Sequence, residues 1–179
     1  MSIQIYILCK LIEGNNYPYK LKKEVSQLSS FNILGHFSES KLYYHFESLL
    51  KQGLIEPVEV VKEEKRPDKQ MYAITEKGRE KLPKKIYALF EKRDSLTDYF
   101  FGLYLLKYVD RSRIVRILES KLDILKLNIE KLKFAHECLQ FDDEGRRLSE
   151  ITTDFFMDKF NNEIVAIQRI IEMLKQEIK

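Results

Sequence analysis

The sequence has few of the residues that secreted scaffolds and metal centres need. Its 179 residues include two cysteines, Cys9 and Cys138, which lie far apart and match no CxxC pattern. A disulfide framework and a zinc site are therefore not expected, and a reducing cytoplasm is the expected location. The apolar start of the chain is interrupted by Lys10 and Glu13 and has no basic leader, so neither a signal peptide nor a membrane span is predicted.

The motifs of common enzyme classes are also missing. The sequence has no Gly-rich phosphate loop, no HExxH, no GxSxG and no tryptophan, and its three histidines, His36, His45 and His136, stand in unrelated contexts. We therefore predict no enzyme activity, no catalytic residue, no metal and no cofactor. A redox-sensing role for Cys138 is disfavoured, because no neighbour in the sequence would clearly lower the pKa of its thiol.

The charge is nearly balanced overall but unevenly placed. The whole chain has a net charge of +3, and its 44% hydrophobic content is enough for a packed core. By counting, residues 1–92 contain 16 basic and 12 acidic side chains, whereas residues 93–179 contain 15 and 16. The basic excess therefore lies in the first half, which weakly supports a nucleic-acid partner for that half.

One amphipathic helix dominates the first half, with Ser38 predicted as its N-cap and Gly53 as its stop. The apolar stripe of this helix contains Leu42, Phe46, Leu49 and Leu50. The opposite face contains Ser40, Lys41, Tyr44, Glu47, Ser48 and Lys51. Hydroxyl and lysine side chains can donate to phosphates and base edges, so this face fits a nucleic acid, although an ordinary solvated face has the same composition.

The segments around this helix predict a winged helix-turn-helix. Helices are predicted over 3–13 and from Pro18 onward, followed by a loop over 29–37. After the dominant helix, strands at 58–61 and 71–74 flank a charged turn, and Thr75 caps a further helix. In this order of elements the third helix enters the major groove and the hairpin lies beside it as a wing. The basic residues of the predicted wing tip are Lys62, Lys65, Arg66 and Lys69.

Three stretches, YPYKLKKEV, SESKLYYHFESLLKQGLI and RPDKQMYAITEKGREKL, resemble the PadR family of bacterial transcriptional regulators. The matching positions are Ser38, Leu42, Tyr43, Leu49, Gly53, Leu54, Ile55, Pro67, Lys69, Tyr72, Ile74, Thr75, Gly78 and Leu82. The sequence departs from the family pattern at Pro18, Ser40 and Tyr44, so details of DNA contact do not transfer.

The resemblance implies a regulator, expected to be a repressor, that binds a palindromic double-stranded DNA operator as a homodimer. With the charge pattern it predicts these DNA-binding residues: Tyr19, Lys20, Ser38, Ser40, Lys41, Tyr43, Tyr44, Lys51, Lys65, Arg66 and Lys69.

Long helices with coiled-coil spacing are predicted after Pro83. A helix over 112–136 and a last helix, separated by a polar break over 140–147, both alternate apolar steps of four and three. We expect the last helix to hold a homodimer together, because one such seam leaves apolar surface uncovered. Its predicted dimerisation residues are Phe160, Ile164, Ile167, Ile171 and Leu174.

The predicted fold class is therefore mainly α with a small β-hairpin, comprising a winged helix-turn-helix over residues 1–92 and a helical dimerisation domain over 93–179. Between the two lies an aromatic cluster that either lines a pocket for a small aromatic effector or forms dry core. Its members are Phe100, Phe101, Tyr104 and Tyr108. A winged helix that binds protein partners as an adaptor is the alternative function, and the basic wing tip argues against it.

Overall fold

The structure, a computed structural model, describes residues 2–27, 39–62, 68–92, 96–138 and 142–176. Over those residues the chain is mostly helical with one two-stranded hairpin. In chain order the elements are α1 (Ser2–Glu13), α2 (Pro18–Gln27), α3 (Glu39–Lys51), β1 (Ile55–Val61), β2 (Lys69–Ile74), α4 (Glu76–Lys92), α5 (Leu96–Leu103), a 3₁₀ turn (Leu106–Tyr108), α6 (Arg111–Cys138) and α7 (Asp143–Gln176). This order confirms the predicted fold class.

The chain forms two compact units. The first contains residues 1–89 and 97–109, and the second contains residues 90–96 and 110–179. The aromatic segment 97–109 thus clusters with the first unit, although the sequence placed it with the second half. The assignment of DNA binding to residues 1–92 and of dimerisation to residues 93–179 stays a prediction.

Helix α1 is the centre of the first unit. Its five consecutive residues from Ile5 to Cys9 are all buried, so this helix is covered on every side. That burial explains the ambiguous sequence pattern, in which both strand-like and helical spacings were present. Leu21 of α2 and Leu82 of α4 have no exposed surface and complete the same core.

The hairpin is antiparallel and pairs Ile55 with Ile74 at its base. Its register shifts between Pro57 and Val60, where proline cannot donate a ladder hydrogen bond. A third segment joins the sheet, because Asn16 and Tyr72 exchange backbone hydrogen bonds of 3.1 and 2.9 Å. The strands begin three and two residues earlier than the sequence predicted, at Ile55 and Lys69.

Helix α3 ends as the sequence predicted, at a glycine in the left-handed region. Gly53 has φ +66°, and its N–H donates to the carbonyl oxygen of Leu50 over 2.8 Å. The N–H of Leu54 donates to the carbonyl oxygen of Leu49 over 3.0 Å, and both side chains are buried. These bonds form a Schellman motif, which satisfies the last carbonyls of the helix and turns the chain into β1.

Helix α4 continues through Pro83, beyond the short helix predicted from the sequence. Proline lacks the N–H that would bond the carbonyl of Arg79, which normally weakens a helix interior. Here a buried stripe runs across the proline, from Leu82 to Ile86, Leu89 and Phe90. The apolar packing of that stripe offsets the missing backbone bond.

The second unit is built on an antiparallel hairpin of two long helices, α6 and α7. The predicted polar break over 140–147 is too long, because α7 already begins at Asp143. A carboxylate oxygen of Asp142 accepts a hydrogen bond from the N–H of Gly145 over 2.8 Å and caps the helix. Asp143 and Glu144 in the first turn add favourable charge at this end.

Candidate nucleic-acid interface

Helix α3 has one face in the core of the first unit and one face in solvent. Leu42, Phe46 and Leu49 are almost fully buried and anchor the helix. The exposed side chains of the helix are Lys41, Tyr43, Tyr44, Glu47 and Lys51. Tyr44 is the most exposed aromatic of this face, at 66%. The exposed face thus offers hydroxyl and ammonium donors on a rigid helix, which is what contact with phosphates or base edges needs.

A groove of about 980 Å³ runs beside this face. It is bounded by the start of α2, by Tyr43 of α3 and by the first half of β2. The residues that line it are Tyr17, Pro18, Tyr19, Lys20, Lys23, Glu24, Tyr43, Asp68, Lys69, Gln70 and Tyr72. With three lysines against two carboxylates, the groove has a net positive charge, and its four phenols add hydrogen-bonding hydroxyls.

Two contacts fix the walls of this groove. The Nζ atom of Lys69 lies 5.3 Å from the ring centroid of Tyr17, a cation–π contact that joins the wing to α2. The ring of Tyr72 lies 5.1 Å from the ring of Phe46, on the buried side of α3. Burial raises the pKa of Tyr72, with Tyr43 and Glu47 adding smaller effects, so its phenol is a neutral donor at pH 7.

His45 lies between the exposed and buried faces of α3. Its ring stands edge-on to Tyr44, with 5.3 Å between centroids, and its buried Nδ1 has no hydrogen-bond partner within the described chain. Burial lowers the pKa of His45 below its ordinary value of 6.5, and nearby positive charge, including Lys41, adds to the effect. The imidazole is therefore neutral at pH 7.

Four of the predicted DNA-binding residues meet in the groove: Tyr19, Lys20, Tyr43 and Lys69. Lys41, Tyr44 and Lys51 are exposed on α3 but do not line it. Ser38, Lys65, Arg66 and the side chain of Ser40 lie outside the described residues.

Among the groove residues that the sequence did not predict, three have hydroxyl or ammonium donors: Tyr17, Lys23 and Tyr72. Lys23 follows Lys20 by three positions, so the helical spacing of α2 was a signal that could have identified it. Tyr17 stands next to Pro18 at the start of α2, opposite Lys69. Tyr72 joins the site only through strand pairing with Asn16, which no local pattern reveals.

The predicted dimerisation stripe lies largely inside one chain. Ile167 and Leu174 have no exposed surface and Ile171 is buried, whereas Phe160 and Ile164 are half-buried. Helix α6, which packs against α7, contributes the buried residues Leu118, Leu125 and Ile129. The role of these five residues in dimerisation stays a prediction.

Large apolar side chains are nevertheless exposed elsewhere in the second unit. Phe134 of α6 and three residues of α7 are between 60% and 69% exposed: Leu148, Ile151 and Phe155. They lie around the point where His136 Nδ1 is 3.1 Å from Ser149 Oγ, which joins the two helices. Ile124, Leu127 and Val165 of the same two helices are also exposed, and contiguous exposed apolar surface is typical of an interaction surface.

The four aromatics proposed for an effector pocket do not share one environment. Phe101 is buried, whereas Phe100 and Tyr104 are exposed. The hydroxyl of Tyr108 lies 3.3 Å from a carboxylate oxygen of Glu13, to which Lys107 donates over 2.8 Å. None of the four lines the groove beside α3 or the cavity that includes Phe90 and Glu163. The burial of Phe101 fits the core role, and the effector pocket stays a prediction.

Two features are absent from the part of the chain that the structure describes. No helix is both long and apolar enough to cross a membrane. No group of three or more His, Cys, Asp or Glu side chains is placed to hold a metal ion.

Residues 7–84 match the model of the transcriptional regulator PadR-like family. No curated protein matches the chain. Among solved structures, Bacillus subtilis PadR in complex with operator DNA is 15% identical, with 97% of this chain and 99% of that chain covered and a TM-score of 0.43. A PadR-like regulator from Bacillus cereus is 21% identical, with 98% and 99% covered and a TM-score of 0.41. Bacillus subtilis PadR in complex with p-coumaric acid is 14% identical, with 98% and 99% covered and a TM-score of 0.38. The resemblance of the sequence motifs to the PadR family is thus confirmed over residues 7–84.

Proposed function

We propose that the chain is a sequence-specific transcriptional regulator, acting as a repressor, that binds double-stranded operator DNA in the cytoplasm. The observation that carries this proposal is the groove beside α3, which brings Lys20, Lys23 and Lys69 together with four tyrosine hydroxyls. Lysines neutralise phosphates and release counterions, and hydroxyls donate to phosphate oxygens and base edges. Helix α3 presents Tyr44 and Lys41 next to this groove, in the position of a recognition helix.

A homodimer is part of the proposal. Two winged helices related by a two-fold axis read two half-sites about one DNA turn apart, so the operator is expected to be palindromic. The exposed apolar side chains Phe134, Leu148, Ile151 and Phe155 support a second copy as their partner. A small aromatic effector that releases the DNA is the further expectation from the family resemblance.

The salt dependence of DNA binding tests the proposed site. A preferred duplex is first selected from a randomised pool with the wild-type protein, and its affinity is measured across a range of salt concentrations. Lys20→Ala, Lys23→Ala and Lys69→Ala should each weaken binding to the selected duplex and to a scrambled duplex alike. Each should also reduce the slope of log affinity against log salt by about 1, because one phosphate contact is lost.

Lys84→Ala is the matched control, since Lys84 is an exposed lysine of the same unit that does not line the groove. Its salt slope should equal that of the wild type. If the wild type selects no sequence from the pool, or if the three groove variants keep the wild-type slope, the groove is not a DNA site.

A further inference from the structure

A chain of polar side chains joins α3 to α1 and α4. The amide nitrogen of Gln4 in α1 donates to the hydroxyl of Ser48 in α3 over 3.2 Å. The ammonium of Lys85 in α4 donates to the amide oxygen of Gln4 over 2.9 Å. Gln52 of the segment after α3 donates to the same Ser48 hydroxyl over 3.0 Å. The Ser48 hydroxyl therefore accepts hydrogen bonds from two side chains, Gln52 at the end of α3 and Gln4 in α1.

These side chains are placed for packing rather than for DNA contact. Gln4, Ser48 and Lys85 are all half-buried, and none of them lines the groove beside α3. The sequence had placed Ser48 on the exposed face of α3, and this was wrong, because its hydroxyl faces Gln4 of α1. Burial lowers the pKa of Lys85, with Lys81 adding to the effect, which marks its ammonium as partly removed from water.

Apolar burial sets which face of α3 points inward, and directional hydrogen bonds fix the rotation of the helix more finely. Leu42, Phe46 and Leu49 hold the helix by apolar burial, which is strong but has no preferred direction. A rotation of about 20° about the axis moves a side chain at about 5–6 Å radius by about 2 Å. A hydrogen bond to a base edge tolerates much less than this, because donor–acceptor distances span only about 2.7–3.2 Å. A directional hydrogen bond to Ser48 therefore contributes more to the precision of base contacts than to the burial of α3.

We propose that Gln4 and Lys85 are positioning residues for DNA recognition, which fix the rotation of α3 through Ser48 without contacting DNA. This inference rests on the proposed function. Lys85 holds the amide of Gln4 in the orientation that presents its nitrogen, rather than its oxygen, to Ser48. Loss of either residue allows α3 to rotate, which lowers the ratio of the affinities for the preferred DNA sequence and for other sequences.

The test compares two measurements on each variant: the affinity ratio between the selected and the scrambled duplex, and the salt slope for each duplex. Lys85→Met keeps the apolar stem and removes the donor, and Gln4→Leu keeps the volume and removes both bonds. Each should lower the affinity ratio by about 5- to 10-fold, which corresponds to about 1 to 1.4 kcal/mol. The salt slope should stay at the wild-type value, because no phosphate contact is lost.

A comparison of the double variant with the single variants distinguishes a positioning role from a general loss of stability. The double variant Gln4→Leu with Lys85→Met should lose no more than the worse single variant, because both break one chain of bonds. Ser48→Ala should show the same loss as Gln4→Leu. Lys85→Arg should keep most of the ratio, and Lys84→Met, an exposed neighbour on α4, should keep all of it. Thermal unfolding of each variant confirms that it is folded at the temperature of the binding assay.

Two results would overturn the inference. An unchanged affinity ratio in Lys85→Met and Gln4→Leu would make the chain of bonds purely structural. A reduced salt slope with equal weakening on both duplexes would make Lys85 a phosphate contact. A wild type that selects no sequence would instead contradict the proposed function itself, so the two failures are distinguishable.

Discussion

The hydroxyl of Thr75 donates to the carbonyl oxygen of Gly53 over 2.8 Å, and so joins the start of α4 to the end of α3. The same hydroxyl accepts a hydrogen bond from the N–H of Gly78 over 3.1 Å, which caps α4. The N–H of Thr75 donates to the carbonyl oxygen of Leu54 over 3.1 Å. Thr75 therefore holds the end of α3 against the start of α4, the helix that follows the hairpin.

Replacing Thr75 tests this junction. Thr75→Ala should destabilise the chain by about 1 to 2 kcal/mol, because it removes the cap of α4 and leaves the Gly53 carbonyl without its donor. Thr75→Ser keeps the hydroxyl and should lose much less. Urea unfolding followed by circular dichroism measures both, and equal stability of the two variants would contradict the capping role.

Gly78 and Gly53 are required for different reasons, and this difference gives a second prediction. A Cβ at Gly78 would lie 2.1 Å from the carbonyl oxygen of Leu54 and 2.7 Å from a side-chain carbon of Ile74. At Gly53 the space is open, with the nearest atom 3.7 Å away, but φ is +66°.

Gly78→Ala should therefore destabilise by about 3 kcal/mol or more, because backbone must move to remove the clash. Gly53→Ala should lose only about 1 kcal/mol, which is the conformational penalty of an L-residue in the left-handed region. The urea midpoints rank the two variants. A Gly78→Ala protein as stable as Gly53→Ala would show that α4 lies less close to Leu54 and Ile74 than described.

Local patterns predicted the elements of the first unit well, because each is encoded by nearby residues. The spacing of Leu42, Phe46 and Leu49 predicted α3, and Gly53 predicted its C-terminal end. Apolar periodicity and a glycine in the left-handed conformation both depend only on neighbouring positions. The end of α4 was predicted wrongly for the same reason. Proline locally disfavours a helix, whereas the buried stripe that stabilises α4 beyond Pro83 depends on tertiary packing.

The second unit shows why burial could not be assigned from spacing alone. The predicted stripe from Phe160 to Leu174 was correct as an apolar pattern, but spacing does not say whether the partner helix belongs to the same chain or to a second one. Glu163 is buried in the same helix beside Ile164, although the apolar pattern gives no reason to bury a charged side chain there. Such a position is visible only once α6 is packed against α7.

The pH dependence of stability should report on His45. The folded-state pKa of this histidine lies below its ordinary value of 6.5, so the unfolded chain binds a proton first as the pH falls. The stability that neutral His45 provides is complete above about pH 6.5 and declines as the pH falls through 6.5 toward the folded-state pKa. Glu13 adds no loss in this range, because Lys107 holds the pKa of its carboxyl below 4.5.

His45→Phe removes the titrating group and keeps a flat ring. Urea unfolding at several pH values between about 7 and 5.5 should give a smaller slope of stability against pH for this variant than for the wild type. Identical slopes for the two proteins would show that folding does not shift the pKa of His45.

The last prediction separates the core of the helical hairpin from its outer surface. Ile151 is 69% exposed and Ile167 is fully buried, although both are isoleucines of α7. Ile151→Asp should leave the fold intact but give monomers in sedimentation, because a charge replaces apolar surface that a second copy covers. Ile167→Asp should instead unfold the hairpin, because its carboxylate would be buried beside α6 without a partner. Phe155→Asp is expected to behave like Ile151→Asp. If Ile151→Asp and Phe155→Asp both remain dimers, the exposed patch is not the dimer interface, and if the wild type is a monomer at micromolar concentration, the chain reads DNA without a second copy.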